Sequence, residues 1–197
     1  MEKNKEEIPK FLIFELSMCI VFVIIMAIGI AVFANREEKV ITKKENGANI
    51  VLNYSSNTNG LSIKNATPTA DSVGMQGTED GEFFDFSVDV ALDNAPSIEY
   101  EIVAIKDKKN STISDDDIKI YLEKEKSGTY TKVFGPAKYT PLKKKNKFGS
   151  TPGSMVLLKT KKTNTSTDNY RLRMWLSDKS VTTGSYSIEI VVNAIAK

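Results

Sequence analysis

Apolar residues change their spacing along this chain, and the changes mark its parts. From 11 to 34 they run almost unbroken, FLIFELSMCIVFVIIMAIGIAVFA, with Glu15 the single carboxylate. At about 1.5 Å per helical residue such a run crosses a hydrocarbon core of roughly 30 Å, which predicts one transmembrane helix. Residues 35–48 are polar and charged and read as a stalk that ends at Gly47. Beyond Asn49 the apolar period becomes two. Strands are predicted over 49–54 and 61–64, and residues 65–81 follow neither period and read as a loop.

The clearest alternation is FFDFSVDVAL, where Phe84, Phe86, Val88, Val90 and Leu92 share one side and Asp85, Ser87 and Asp89 the other. A turn at Asp93 to Pro96 leads into SIEYEIVAI, with Ile98, Tyr100 and Ile102 inward and Glu99 and Glu101 outward. These two segments are predicted to pair. Ile118, Ile120 and Leu122 continue the pattern, and further strands are expected around 131–134 and 155–160. Two long strands close the chain, one through Tyr170, Leu172, Met174 and Leu176, the other through Tyr186, Ile188, Ile190, Val192 and Ala194. They too are expected to pair. Many short strands with turn signals between them argue a mainly β fold: a single N-terminal transmembrane helix followed by an antiparallel β-sandwich, immunoglobulin-like or jelly-roll. The organisation expected is a cytoplasmic head at 1–10, a signal anchor at 11–34, the stalk at 35–48 and an extracytoplasmic domain at 49–197.

Lys3, Lys5 and Lys10 balance Arg36, Lys39, Lys43 and Lys44, so flanking charge does not orient the helix. A short head and a long polar tail place the amino terminus inside, giving a single-pass cell-membrane protein. Val32 and Ala34 occupy signal-peptidase positions, and cleavage after Ala34 would give a secreted form. Cys19 follows Met18 and opens the apolar run, so it reads as a small apolar residue rather than a lipidated one. Phe11 and Glu15 stand as in type IV pilins, yet Lys10 occupies the place of the glycine that pilin processing requires. Glu15 also lies within reach of the headgroups.

Composition removes more chemistry than the motifs add. The chain has no histidine, one cysteine, and a formal charge of +2 from 27 basic and 25 acidic residues. Histidine triads, histidine zinc ligands and the usual general base near neutral pH are excluded, and disulfides cannot staple the exported part. The near balance gives no global field for nucleic acid. No cofactor is expected, and no spacing places a catalytic pair.

Three groups of residues carry candidate chemistry. Asp115, Asp116 and Asp117, with Asp71, Glu79 and Asp80, offer oxygen ligands but lack calcium-loop spacing and read as solvated turn carboxylates. Lys143, Lys144, Lys145 and Lys147, followed by Lys159, Lys161 and Lys162, form a basic patch suited to an anionic wall polymer or to lipid headgroups, or simply a solvated loop. Arg171, Arg173 and Trp175 share the outer face of one strand, with Glu189 or Glu99 as expected partners. That row is either a cross-strand ladder or a sugar platform built on the one tryptophan.

The apolar helix, then GLSIKNATPTADSVG, FFDFSVDVAL and SIEYEIVAI, and finally YRLRMWLSD before SIEIVVNAIAK, resembles the TasA and camelysin family of exported Gram-positive β-sandwich proteins. The likeness covers about half of the chain and leaves out 106–169. It implies a jelly-roll subunit that lends a strand to its neighbour in extracellular or biofilm-matrix fibres. Protease activity described for some members finds no support in a chain without histidine. The expectation is thus a non-catalytic, membrane-anchored surface protein that self-associates through strands. The alternatives are a module that binds wall polymer or carbohydrate, and a pilin-like subunit.

Overall fold

The computed structural model describes residues 40–55, 58–76 and 83–197. The apolar run at 11–34, with Glu15 and Cys19, lies outside the described residues, and among those described no helix is long and apolar enough to cross a membrane. What is described is a mainly β unit. Its elements are β1 (Val40–Glu45), β2 (Ala48–Tyr54), β3 (Gly60–Ile63), β4 (Pro68–Thr69), α1 (Asp71–Gly74), β5 (Phe83–Leu92) and β6 (Ile98–Lys106), then β7 (Ile118–Lys126), β8 (Thr129–Lys138), β9 (Ser154–Lys162), β10 (Ser166–Ser177) and β11 (Tyr186–Ala196).

Two sheets share one core. The larger has the order β1-β2-β5-β10-β7-β8, with β4 beside the end of β10, and the smaller has the order β3-β11-β6-β9. All pairings are antiparallel except that of β4, which runs parallel to β10. The alternation read from the sequence sorts the faces correctly. Phe84, Phe86, Val88 and Val90 of β5, Ile118, Ile120 and Leu122 of β7 and Leu172 of β10 point into the core from one sheet, and Ile98, Tyr100, Ile102, Ile188 and Ile190 do so from the other. Burying each such side chain contributes about 1.5–3 kcal/mol, so the core dominates stability.

Sheet membership differs from the expectation in two places. β5 and β6 do not pair, because the connection at 93–97 carries the chain from the larger sheet to the smaller. β10 and β11 do not pair either, for the same reason at 178–185. Strands joined within a sheet use tight turns instead. Glu45 faces Ala48 across Asn46 and Gly47, and Lys126 faces Thr129 across Ser127 and Gly128. Ser127 and Gly128 have φ of 52° and 79°, the mirror-image turn whose twist matches that of paired strands.

The sheet also begins earlier than expected. β1 occupies part of the stretch read as a stalk and pairs along its whole length with β2. Within 65–81, read as a loop, lie the short β4 and α1.

An aromatic file runs through the interior. Tyr54, Phe84, Phe86 and Tyr170 follow one another with ring centroids 5.6, 5.8 and 5.4 Å apart, the last two contacts stacked. The Tyr54 hydroxyl donates to the Ile190 carbonyl across the sheets at 2.6 Å, and burial with the nearby Glu189 charge pushes its pKa up to about 12.

Candidate interaction surface

A charged row crosses the outer face of the larger sheet. Register places Asp85, Arg171 and Glu123 side by side on β5, β10 and β7. Arg171 donates from Nε and Nη2 to Asp85 at 2.7 Å each, and its guanidinium lies 4.1 Å from the Phe83 ring centroid and 4.4 Å from that of Tyr130. The Asp85 hydrogen bonds raise the arginine's pKa. Arg173 pairs with Glu123 at 3.0 Å. The expected ladder is present, with Asp85 and Glu123 as its acids rather than Glu189 or Glu99.

Trp175 continues the row but is covered. It is only 6% exposed, its Nε1 donates to Asp71 of α1 at 3.2 Å, and Tyr121 meets it edge-on at 6.4 Å. Gly74 lies so close that a Cβ there would overlap the indole ring. An indole sealed in this way offers no open face on which a sugar can stack. Beside it runs a groove of about 360 Å³ whose lining includes Lys64, Asn65, Thr67 and Val73.

Of the acids read from the sequence, Glu79 and Asp80 lie outside the described residues, while Asp115 and Asp116 are engaged by cations and a hydroxyl. Asp115 accepts from Lys106 at 2.5 Å and from the Tyr186 hydroxyl at 2.8 Å, and Asp116 pairs with Lys138. Among the described residues no three His, Cys, Asp or Glu gather as metal ligands.

The lysine-rich loop is built rather than loose. Glu101 is wholly buried on the outer side of β6, where Asn146 Nδ2 donates to both its oxygens at 2.9 Å, the Ser150 hydroxyl donates to Oε1 and Lys159 approaches to 3.8 Å. Asn146 Oδ1 in turn accepts the backbone N–H groups of Phe148 and Ser150, which fixes the turn between them. Phe148 is buried, with Lys147 and Lys159 over its ring. Lys147 and Lys197 both hold Glu99, and their hydrogen bonds bring its pKa down to about 2. Lys143, Lys144 and Lys145 are exposed and face no acid among the described residues.

A second buried carboxylate joins the two sheets. Asp168, 7% exposed, takes Lys162 of β9 at 2.7 Å and Lys124 of β7 at 2.8 Å, while the Tyr100 hydroxyl donates to Oδ2 at 3.0 Å. Burial works to raise its pKa, but the hydrogen bonds from Lys124, Lys162 and Tyr100 outweigh it and the net shift is downward. Burial also drives the Tyr100 hydroxyl's pKa far upward, so Tyr100 serves as a donor. Glu101 and Asp168 were not singled out from the sequence. The signal was present in each case as an acid amid nearby lysines, but nothing local says that it is buried.

The backbone itself holds the last surface. β11 pairs along its length with β6, yet on its other side β3 reaches only from Tyr186 to Glu189. Asn59 accepts the Ile190 N–H at 2.7 Å, and beyond that point no strand among the described residues pairs with 191–196 on this side, although β1 and β2 pass close to β11 from the other sheet. Backbone groups alternate in direction along a strand, so Val192 and Ala194 point the same way as Ile190, toward this opening. Lys43 Nζ reaches the Ala194 carbonyl at 3.3 Å. The side chains along the opening, VVNAIA, include neither a charge nor a proline.

Among known proteins, no family model, curated protein or solved structure matches this chain. Fold and site define a two-sheet, mainly antiparallel β protein in which, among the described residues, one sheet edge is half filled.

Proposed function

We propose that this protein is a non-catalytic, membrane-anchored surface protein whose two-sheet module, of jelly-roll type, assembles by taking a strand from a second copy along β11. The observation that carries this reading is the contrast between that opening and the strands that end the sheets. β8 contains Pro136 and two irregularities in its register with β7, β9 carries Lys159, Lys161 and Lys162, and β3 has only four residues. Short length, proline, bulges and lysine are the devices that blunt an edge. Residues 191–196 of β11 carry none of them. An added strand there hydrogen-bonds the backbone and supplies affinity without a dedicated pocket.

The apolar run at 11–34 supplies the anchor and places the module outside the cytosol, and the resemblance to exported matrix proteins agrees with strand exchange. Catalysis has no part in this reading, since the chain lacks histidine and the carboxylates described above are held by cations.

The test is sedimentation of the full chain in neutral-detergent micelles across a range of concentrations. Self-association is expected, and Val192→Pro, which removes an N–H aimed at the opening, weakens it at least about tenfold while the melting temperature holds nearly constant. Ala194→Pro provides a second position if the first variant folds poorly. A wild-type chain that stays monomeric at every concentration, or a folded proline variant that assembles as well as wild type, overturns the reading.

A further inference from the structure

The lysine-rich loop goes beyond strand exchange, because its construction leaves three cations standing free. Residues 142–153 lie against the outer face of β6 and β9, held by Asn146 and Ser150 on the buried Glu101, and by Leu142 N–H donating to Ser154 at 2.7 Å. Asn193 of β11 also donates to the Ser150 hydroxyl, at 2.8 Å. An ordered loop of this kind presents its side chains at fixed positions and loses little entropy when it binds. Lys143, Lys144 and Lys145 are the side chains so presented.

Charge is segregated on this face. The loop lysines together with Lys159, Lys161 and Lys197 stand near Glu99 and Glu101, with exposed Glu189 farther along the same face, whereas the whole chain carries 27 basic and 25 acidic residues. Glu99 is taken up by Lys147 and Lys197, and Glu101 by Asn146, Ser150 and Lys159. Lys143, Lys144 and Lys145, adjacent in the chain and joined by exposed Lys161, therefore keep their charge for a partner.

What the loop does with its apolar residues narrows that partner. Membrane-surface segments push aromatic and aliphatic side chains into the bilayer boundary. Here Phe148 is buried and Leu142 half-buried. Proteins that bind single-stranded nucleic acid offer aromatic faces to the bases. The one aromatic ring of this loop is turned inward and capped by Lys147 and Lys159. Exposed ammonium groups without an insertion residue or a stacking platform match a partner that is charged throughout and has neither tails nor bases.

We propose that this face binds a linear polyanion of repeating phosphate groups, with Lys143, Lys144 and Lys145 as the principal contacts and the Glu101–Asn146–Ser150 anchor as the part that positions them. Lysine suits this task as a compact point charge on a long stem, which meets successive phosphates without demanding one geometry.

The test is binding of long-chain inorganic polyphosphate to the full chain in neutral-detergent micelles, followed as salt is raised. Affinity is expected to fall steeply with salt. The triple variant Lys143→Gln, Lys144→Gln, Lys145→Gln weakens binding at least about tenfold and reduces the slope of log affinity against log salt by about two. Because these residues are exposed, its melting temperature should match wild type. Asn146→Ala keeps every lysine and weakens binding by about threefold, through loss of the loop's shape. Absence of binding at low salt overturns the proposal, as does wild-type affinity in the triple variant. Displacement of the polymer by phosphatidylglycerol mixed into the micelles would assign the face to lipid headgroups, and tighter binding of single-stranded DNA at matched charge would assign it to nucleic acid. Either result also overturns it. The Val192→Pro chain keeps all of these lysines, so this experiment and the assembly experiment fail independently.

Discussion

Asp168→Ala is expected to destabilise the β unit by about 3–5 kcal/mol, because it leaves Lys124 and Lys162 facing each other with no anion between them. The two lysines come from different sheets, so their repulsion acts directly on the sheet-to-sheet contact. Denaturant unfolding of the full chain in neutral detergent measures the loss. Asp168→Asn keeps the shape and removes the charge, and should also be clearly destabilised at neutral pH.

Acid titration gives this prediction a sign. The folded-state carboxyl titrates below its ordinary value, held there by hydrogen bonds from Lys124, Lys162 and Tyr100 against the opposing effect of burial. Its stabilisation is therefore complete above the unfolded value of about 3.9 and is lost as pH falls through the folded value. Wild type should show this loss on its acid limb, and Asp168→Asn should lack that component. An Asp168→Ala chain as stable as wild type at pH 7 would show that the clasp between the sheets contributes nothing.

Phe86→Ala is expected to cost about 3–5 kcal/mol as well, by a different route. Phe86 is 3% exposed and sits between Phe84 at 5.8 Å and Tyr170 at 5.4 Å, in a file of rings that cannot close over a gap without moving both neighbours. Loss of the ring removes apolar burial, two aromatic contacts and the support beneath Tyr170, whose hydroxyl meets Tyr100 at 3.0 Å. A melting curve that shifts by only a degree or two would mean that the file repacks freely. The two losses should fall short of simple addition in the double variant, since Tyr170 touches both sites.

These two residues also show what the sequence makes legible. Phe86 belongs to a strict alternation, and period two states directly that it faces inward. Asp168 occupies an inward position of the same kind on β10, yet its local sequence, STDNY, reads as the polar start of a strand. Its partners are brought in by β7 and β9, and such non-local pairing leaves no local trace. Strand partnership was hidden for a related reason. Alternation says which face is apolar but not which sheet a strand joins, and β5 and β6 satisfy the pattern equally well as neighbours or across the core. Connection length carries that information. Sheets packed face to face lie about 10 Å apart, too far for the two-residue turns seen at Gly47 and Gly128, whereas 93–97 and 178–185 can span the distance. The stalk was misread because polar residues dominate VITKKE, as edge strands commonly require.

The candidate surface was legible in part. The lysines and the Arg171, Arg173 and Trp175 row were visible as patterns, and the loop and the ladder are where those patterns lie. Neither the buried anchor at Glu101 nor the cover that α1 places over Trp175 follows from spacing, because each is made by a segment distant in the chain. The opening beside 191–196 is the least legible feature. It adjoins the start of β3, where Gly60 faces Glu189, and a neighbour lacking among the described residues leaves no mark on the sequence of β11 itself.

Amide hydrogen exchange of the full chain, compared between dilute monomer and concentrated assembly, bears on that opening without any mutation. The Val192 and Ala194 amides should exchange quickly in the monomer and become strongly protected on assembly, while their neighbours bonded to β6 stay protected in both states. Assembly that leaves these two amides as fast as before would contradict strand addition at β11.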